Sequence, residues 1–282
     1  MPAQRKSSMS ENKTKIYVLH YKEGTILDLP SIYSPLMSGN ALLNKQSLMQ
    51  GDDSNNNISA KNKYYSELTG IYWIWKNTKN EITGTCHYRR FFTIQSEPLL
   101  YRAKRLLYVL IRLHKKRFGI IYTSNIDLFK DRILKSDELH KLLDEHDAIL
   151  PVARKLKYTV ETHYNRYHDS NDLVLLRNII NEKHPSFISA FDKVLKRKRL
   201  YANNMFVLKK EHFDEFMEWW FDILFEFERK IDIRTKTGYQ ERILGFIAER
   251  LLNVWFIHKQ LDIVELPIIY FKNFKNAKKA NV

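Results

Sequence analysis

Short, wholly apolar runs alternate along the chain with longer stretches whose apolar residues recur every three or four positions, the pattern of strands interleaved with helices. Lys15–His20 (KIYVLH) predicts a buried first strand, closed by the polar turn His20-Tyr21-Lys22-Glu23-Gly24. Leu27–Leu43 carries Pro30, Pro35 and Gly39 and predicts an irregular connection, and Gly51–Asn57 (GDDSNNN) predicts a loop tip. Ser59 is placed to cap a helix in which Tyr64, Leu68, Ile71 and Trp75 form one apolar stripe, widened by Tyr65, Tyr72 and Trp73. Asn77–Asn80 closes that helix, Glu81–Cys86 reads as the next strand, and His87-Tyr88-Arg89-Arg90 emerges at its end.

Glu97–Tyr122 predicts a basic amphipathic helix. Leu99, Leu106, Leu107, Leu110 and Leu113 recur at helical spacing, while Arg102, Lys104, Arg105, Arg112, Lys115, Lys116 and Arg117 set seven cations against the single acid Glu97. Such a helix reads as lying on an anionic membrane; a core-packed helix with a solvated basic face, or one tracking nucleic-acid phosphates, carries the same pattern. Asp137–His146 reads as a short helix and Ala148–Leu150 as a strand. Tyr158–Leu176 gathers His163, Tyr164, His168, Asp169 and Asp172, and its two histidines miss the i, i+4 spacing of a zinc helix. Asn203-Asn204 precedes an apolar strand, Glu211–Lys230 turns Phe213, Phe216, Trp220, Leu224 and Phe227 toward a core, and Gly238–Ile257 reads as the last helix. Residues 1–14 and the basic tail from Lys272 read as disordered ends around one domain spanning 15–271, without internal repeats.

Composition narrows the partners. Among 282 residues 44% are hydrophobic and 13% aromatic, which places the chain with globular proteins. A formal charge of +15 and a pI near 9.6 call for an anionic neighbour: nucleic acid, acidic lipid or a phosphorylated substrate. Cys86 is the one cysteine, so no internal disulfide and no cysteine-built zinc site can form, which fits a reducing cytoplasm. The first residues lack an apolar signal-peptide core, and no stretch approaches the ~18 apolar residues of a membrane span.

Candidate chemistry collects at predicted strand ends, where open α/β sheets bind ligands. His20 and Lys22 follow the first strand, placed either to flank a nucleotide or as solvated loop residues. Arg89 and Arg90 carry guanidinium forks suited to phosphate, and as neighbours on an extended chain they are expected on opposite faces, one structural and one at the reaction centre. Glu67 lies in an aromatic helix and needs a partner, for which an arginine of the neighbouring strand is the candidate. Asn203 and Asn204 have amides for sugar hydroxyls or for a turn, and His168 is a pocket-lining candidate. Glu249, seven residues from Arg242 and on its face, is the first candidate for a general base, and Asp172 the second. Asp52-Asp53 has the oxygens for a divalent cation, with turn chemistry the favoured reading.

Several of these blocks resemble a known family. Asn57-Ile58-Ser59, Asn62, Tyr65-Ser66-Glu67-Leu68-Thr69, Tyr72-Trp73-Ile74-Trp75-Lys76-Asn77, Cys86-His87-Tyr88-Arg89-Arg90-Phe91-Phe92, Asn204-Met205-Phe206-Val207 and Glu249-Arg250-Leu251-Leu252 are similar to the pattern of bacterial glycosyltransferases of capsule, O-antigen and exopolysaccharide clusters, some of them galactofuranosyltransferases. The resemblance implies a GT-A-like fold, a Rossmann-type mixed sheet with helices on both faces, with the basic helix as an insertion. It implies a peripheral enzyme at the inner face of the cell membrane. That enzyme moves a sugar, galactofuranose from UDP-galactofuranose or another sugar such as UDP-galactopyranose, onto a lipid-linked glycan with inversion. Arg89 and Arg90 then hold the diphosphate, His87 and Tyr88 line the sugar, and Asn62 and Glu67 belong to the same site. In that fold a metal-binding Asp-x-Asp usually ends a central strand; here His87-Tyr88-Arg89-Arg90 stands in its place, so Mn or Mg is open as a cofactor. A basic nucleic-acid-binding protein is the rival from another class, although no nucleic-acid partner is expected.

Overall fold

The computed structural model describes residues 13–45, 47–110, 119–272 and 274. Arg112, Lys115, Lys116, Arg117, the segment through residue 12 and most of the basic tail lie outside the described residues, as do the side chains of Lys104 and Arg105. The strands are β1 (Thr14–His20), β2 (Tyr33–Met37), β3 (Gln50–Gly51), β4 (Ile82–His87), β5 (Arg90–Phe92), β6 (Ile120–Thr123), β7 (Ala148–Pro151), β8 (Arg154–Lys155), β9 (Arg199–Leu200), β10 (Phe206–Lys209), β11 (Ile263–Leu266) and β12 (Ile268–Phe271). The helices are α1 (Asn62–Tyr65), α2 (Leu68–Asn77), α3 (Leu99–Leu110), α4 (Ile126–Phe129), α5 (Ser136–Glu145), α6 (Val160–Asn165), α7 (Ser170–Lys183), α8 (Ile188–Lys196), α9 (Lys210–Lys230) and α10 (Ile243–Lys259).

The main sheet runs in the order β11-β7-β10-β4-β1-β2-β3, with β10 antiparallel to both neighbours and the other pairings parallel. From β4 a hairpin leads to β5, which pairs with β12, and β12 with β6. Alternation along β1 divides two cores. Tyr17 and Leu19 face a core closed by α2, α7, α8, α9 and α10, whereas Ile16 and Val18 face one closed by α4 and α5. Phe213, Phe216, Trp220, Leu224 and Phe227 of α9 are all buried, as their spacing predicts.

Four local expectations are corrected. The supposedly irregular Leu27–Leu43 contains β2. Pro35 is tolerated there because β3 reaches only Leu36 and Met37, leaving an open edge beside the proline. The 59–77 helix is broken at Ser66, which sits at φ 52°, between α1 and α2. The end of the predicted basic helix, near Tyr122, is instead strand β6, held by β12. Residues 238–242 form a tight 3-10 turn ahead of α10.

Ser59 does not cap a helix. It is fully buried, and its hydroxyl donates to Asp52, whose carboxylate also accepts the N–H groups of Gly39 (2.9 Å) and Asn40 (3.0 Å). Asp53 accepts from the Asn40 side chain. The acidic pair is therefore the knot of the loops that follow β2 and β3. Asp52→Ala strands three buried donors, and urea unfolding is expected to show a loss of about 3 kcal/mol.

Candidate active site

A cleft of about 730 Å³ opens at the carboxyl ends of the parallel strands. His20 ends β1, Ser38 follows β2 and His87 ends β4. Reversed β10 starts at this same edge, so Asn203 is delivered beside them. Helix α1, with Ser66 and Glu67 behind it, supplies one wall, Glu249 of α10 another, and the 238–242 turn overhangs with Tyr239, Glu241 and Arg242. Gly39 lies at φ 76°, and a Cβ there would fall 2.4 Å from the Asn62 side chain, so the loop after β2 presses directly on Asn62.

His87-Tyr88-Arg89-Arg90 is a hairpin, with His87 and Arg90 paired across it and Tyr88-Arg89 at its tip. The expectation that the two arginines face oppositely fails because the chain turns between them. Both guanidiniums lie near the Tyr270 ring of β12, at 5.3 Å for Arg89 and 5.2 Å for Arg90. Arg89 also donates to the Lys272 carbonyl (2.7 Å), and its buried Nε has no partner among the described residues.

Behind the hairpin, Asn203 and Asn204 both adopt left-handed backbone, at φ 78° and 48°, a region that asparagine enters more readily than most residues. The Asn203 N–H donates to Glu249 Oε1 (2.8 Å), and its carbonyl accepts from His87 Nε2 (2.6 Å). A carbonyl can only accept, so His87 carries its proton on Nε2 and keeps a lone pair on Nδ1 when neutral. Asn204 is buried and donates to Glu67 (2.9 Å). Thus Asn203 lines the cleft, whereas Asn204 stands behind it and orients Glu67. The partner of Glu67 is Arg242, at 3.6 Å, and not an arginine of the neighbouring strand; the break at Ser66 brings α1 against the 238–242 turn, and Arg242 also donates to Ser66 Oγ (2.8 Å).

Charge in the cleft is unevenly matched. Lys63 pairs with Glu241 (3.4 Å), Arg242 with Glu67, and buried Arg250 with Glu249 (3.3 Å). Among the described residues no carboxylate pairs with Arg89 or Arg90. Burial pushes the Glu249 carboxyl above its ordinary value, opposed by Arg250 and the Asn203 N–H. Burial lowers the His87 imidazole and takes that of His20 down to about 4, leaving the His20 ring neutral at pH 7, and it lifts the Tyr88 hydroxyl to about 12. A smaller cavity of about 160 Å³ adjoins, sharing His20 and Tyr88 and walled by Tyr33, Phe91 and Asp28.

Other sequence candidates lie elsewhere. Lys22 is exposed and outside the cleft wall; its neighbour Tyr21 takes that place. His168 donates from Nδ1 to the Gln240 Oε1 (2.9 Å) and packs on Phe246 (4.3 Å), securing the overhanging turn from behind. Asp172 is buried and bonded to Tyr164 (3.0 Å) and Lys236 (3.4 Å), away from the cleft wall. Sequence reasoning passed over Tyr270, Tyr239 and Lys63, although the largely apolar, β-branched run Ile263–Phe271 is a readable strand signal for the first. No group of three or more His, Cys, Asp or Glu side chains converges among the described residues, and Asp52 is committed to backbone amides. The described residues thus form no ready-made cage of protein ligands for a metal, and the cations facing the cleft are guanidinium and ammonium.

Residues 15–260 match the model of a family described as a domain of unknown function, DUF4422. Among solved structures, the chain is similar to the apo structure of WbbM, a bifunctional glycosyltransferase, at 29% identity and a TM-score of 0.80. The match covers 93% of this chain and 46% of that one, so the chain spans about half the neighbour's length. No curated protein matches. The mixed sheet with helices on both faces is the GT-A-like arrangement that the sequence blocks imply.

Proposed function

The chain belongs to the DUF4422 family, and from that premise we propose that it is a glycosyltransferase drawing on a nucleotide-sugar donor. One observation carries the reading: two guanidiniums with no carboxylate partner among the described residues, Arg89 and Arg90, share the cleft with Glu249, a half-buried carboxylate whose proton affinity is raised. A nucleoside diphosphate supplies the missing anion. The smaller cavity has the rings and size for its base, and the Asp28 carboxylate can accept an imide N–H, which favours uridine.

In the step we propose, Glu249 takes the proton of an acceptor hydroxyl, and that oxygen forms a bond to the anomeric carbon. The bond from this carbon to the diphosphate breaks, and its electron pair leaves on the diphosphate oxygen, where Arg89 and Arg90 neutralise the charge. Attack opposite the leaving group inverts the centre. His87 Nδ1 and Glu67 can hold sugar hydroxyls. The sequence resemblance supports galactofuranose as the sugar and a lipid-linked glycan as acceptor, while the likeness to WbbM supports the reaction class.

A panel of nucleotide sugars, each assayed by thermal unfolding with and without EDTA, tests the reading. UDP-galactofuranose or UDP-galactopyranose is expected to raise Tm, since a ligand bound by the folded state alone stabilises it. No stabilisation by any nucleotide sugar, with or without added Mn or Mg, would overturn it. Stabilisation by an oligonucleotide that fades with salt would instead favour the nucleic-acid reading.

A further inference from the structure

Helix α3 presents its leucines outward. Leu99 and Leu100 are 81% and 85% exposed, Leu106 and Leu107 48% and 56%. Their spacing, i, i+1, i+7, i+8, places the four on one face of the helix. The opposite side is anchored: the Tyr101 ring packs edge-on against buried Phe129 of α4 at 5.2 Å. Ile94 before the helix and Leu128 beside Phe129 are exposed as well. Exposed leucines scattered singly mean nothing, but four on one helical face form the kind of patch that marks an interaction surface.

Charge selects the occupant. From Leu99 through Arg117 the sequence holds seven lysines and arginines and no acid, and Arg102 is exposed. A docking surface for another protein core has no need of so one-sided a charge. A bilayer with anionic headgroups meets both features, with leucines seated among acyl chains and cations at the phosphates above them. No helix among the described residues is long and apolar enough to cross a membrane, so the contact is lateral. We propose that the Leu99-Leu100-Leu106-Leu107 face of α3 docks the protein onto an anionic membrane surface.

Co-sedimentation with vesicles of phosphatidylcholine alone, and of phosphatidylcholine mixed with phosphatidylglycerol, tests this on the full chain. Wild type is expected to bind the mixed vesicles, more weakly as salt rises, and to leave the neutral ones. Leu100→Glu with Leu107→Glu is expected to cut the partition coefficient by roughly tenfold or more, with Tm and nucleotide-sugar stabilisation unchanged. Equal binding by the variant, or no preference for the anionic vesicles, would overturn the proposal. So would a wild-type dimer in light scattering that the variant turns into a monomer, because the occupant would then be a second copy. The nucleotide-sugar shift reads the cleft and the vesicle assay reads α3, so each reading fails on its own measurement.

Discussion

Arg90→Ala is expected to lower kcat/KM for sugar transfer by about 10²–10³-fold, the range for removing one preorganised donor to a developing oxyanion. The guanidinium lies 5.2 Å from the Tyr270 ring, and among the described residues no carboxylate pairs with it, so its loss strands no buried charge. Tm should therefore move little. Arg89→Ala should cost as much in rate but more in stability, since Arg89 also donates to the Lys272 carbonyl and packs 5.0 Å from the Tyr88 ring. Steady-state kinetics beside thermal unfolding separates the two. Wild-type rates from both variants would remove the diphosphate from the hairpin.

Glu249→Gln should be the more severe change, about 10²–10⁴-fold in kcat, the span attributed to a positioned general base. Glutamine keeps an oxygen for the Asn203 N–H, so donor binding should survive and the loss should fall on kcat. The pH dependence gives a second check. A base works deprotonated, and burial raises this carboxyl, so transfer by wild type should fall on the acid side at a pH above the ordinary glutamate value of ~4.3. The sign for folding is opposite. The folded state holds this proton more tightly than the unfolded chain, so the stability owed to Glu249 declines as pH climbs from the ordinary value through the raised one. Acid thus favours the fold at this group while it disables transfer. A pH–rate profile whose acid limb is unmoved in position would reassign the base.

What the sequence made readable was local. The apolar run of β1, the core face of α9 and the hairpin arginines each announce themselves within a few residues, because period and residue type act over one element. Glu249 was legible for a related reason: a carboxylate in so apolar a helix needs a structural or chemical explanation. Pairings across the chain were not legible. Arg242 reaches Glu67 only because Ser66 breaks the helix, and nothing near Ser66 in sequence marks a positive φ. Tyr270 joins the arginines because β5 and β12 meet across some 180 residues, a register set by strand pairing far apart in the chain. Lys22 and Tyr21 exchange places for a smaller reason: one position past a strand end decides which neighbour faces the cleft.

Asn203 holds Glu249 and His87 through its amide and carbonyl, which every residue except proline possesses in full. Its side chain therefore has no share in that task, yet it belongs to a residue that borders the cleft. Under the proposed function, the positioning of Glu249 and the choice of ligand are then written on separate parts of one residue. Replacements that keep the left-handed backbone, glycine or aspartate, are expected to change which ligand the cleft accepts while leaving Glu249 and His87 where they stand.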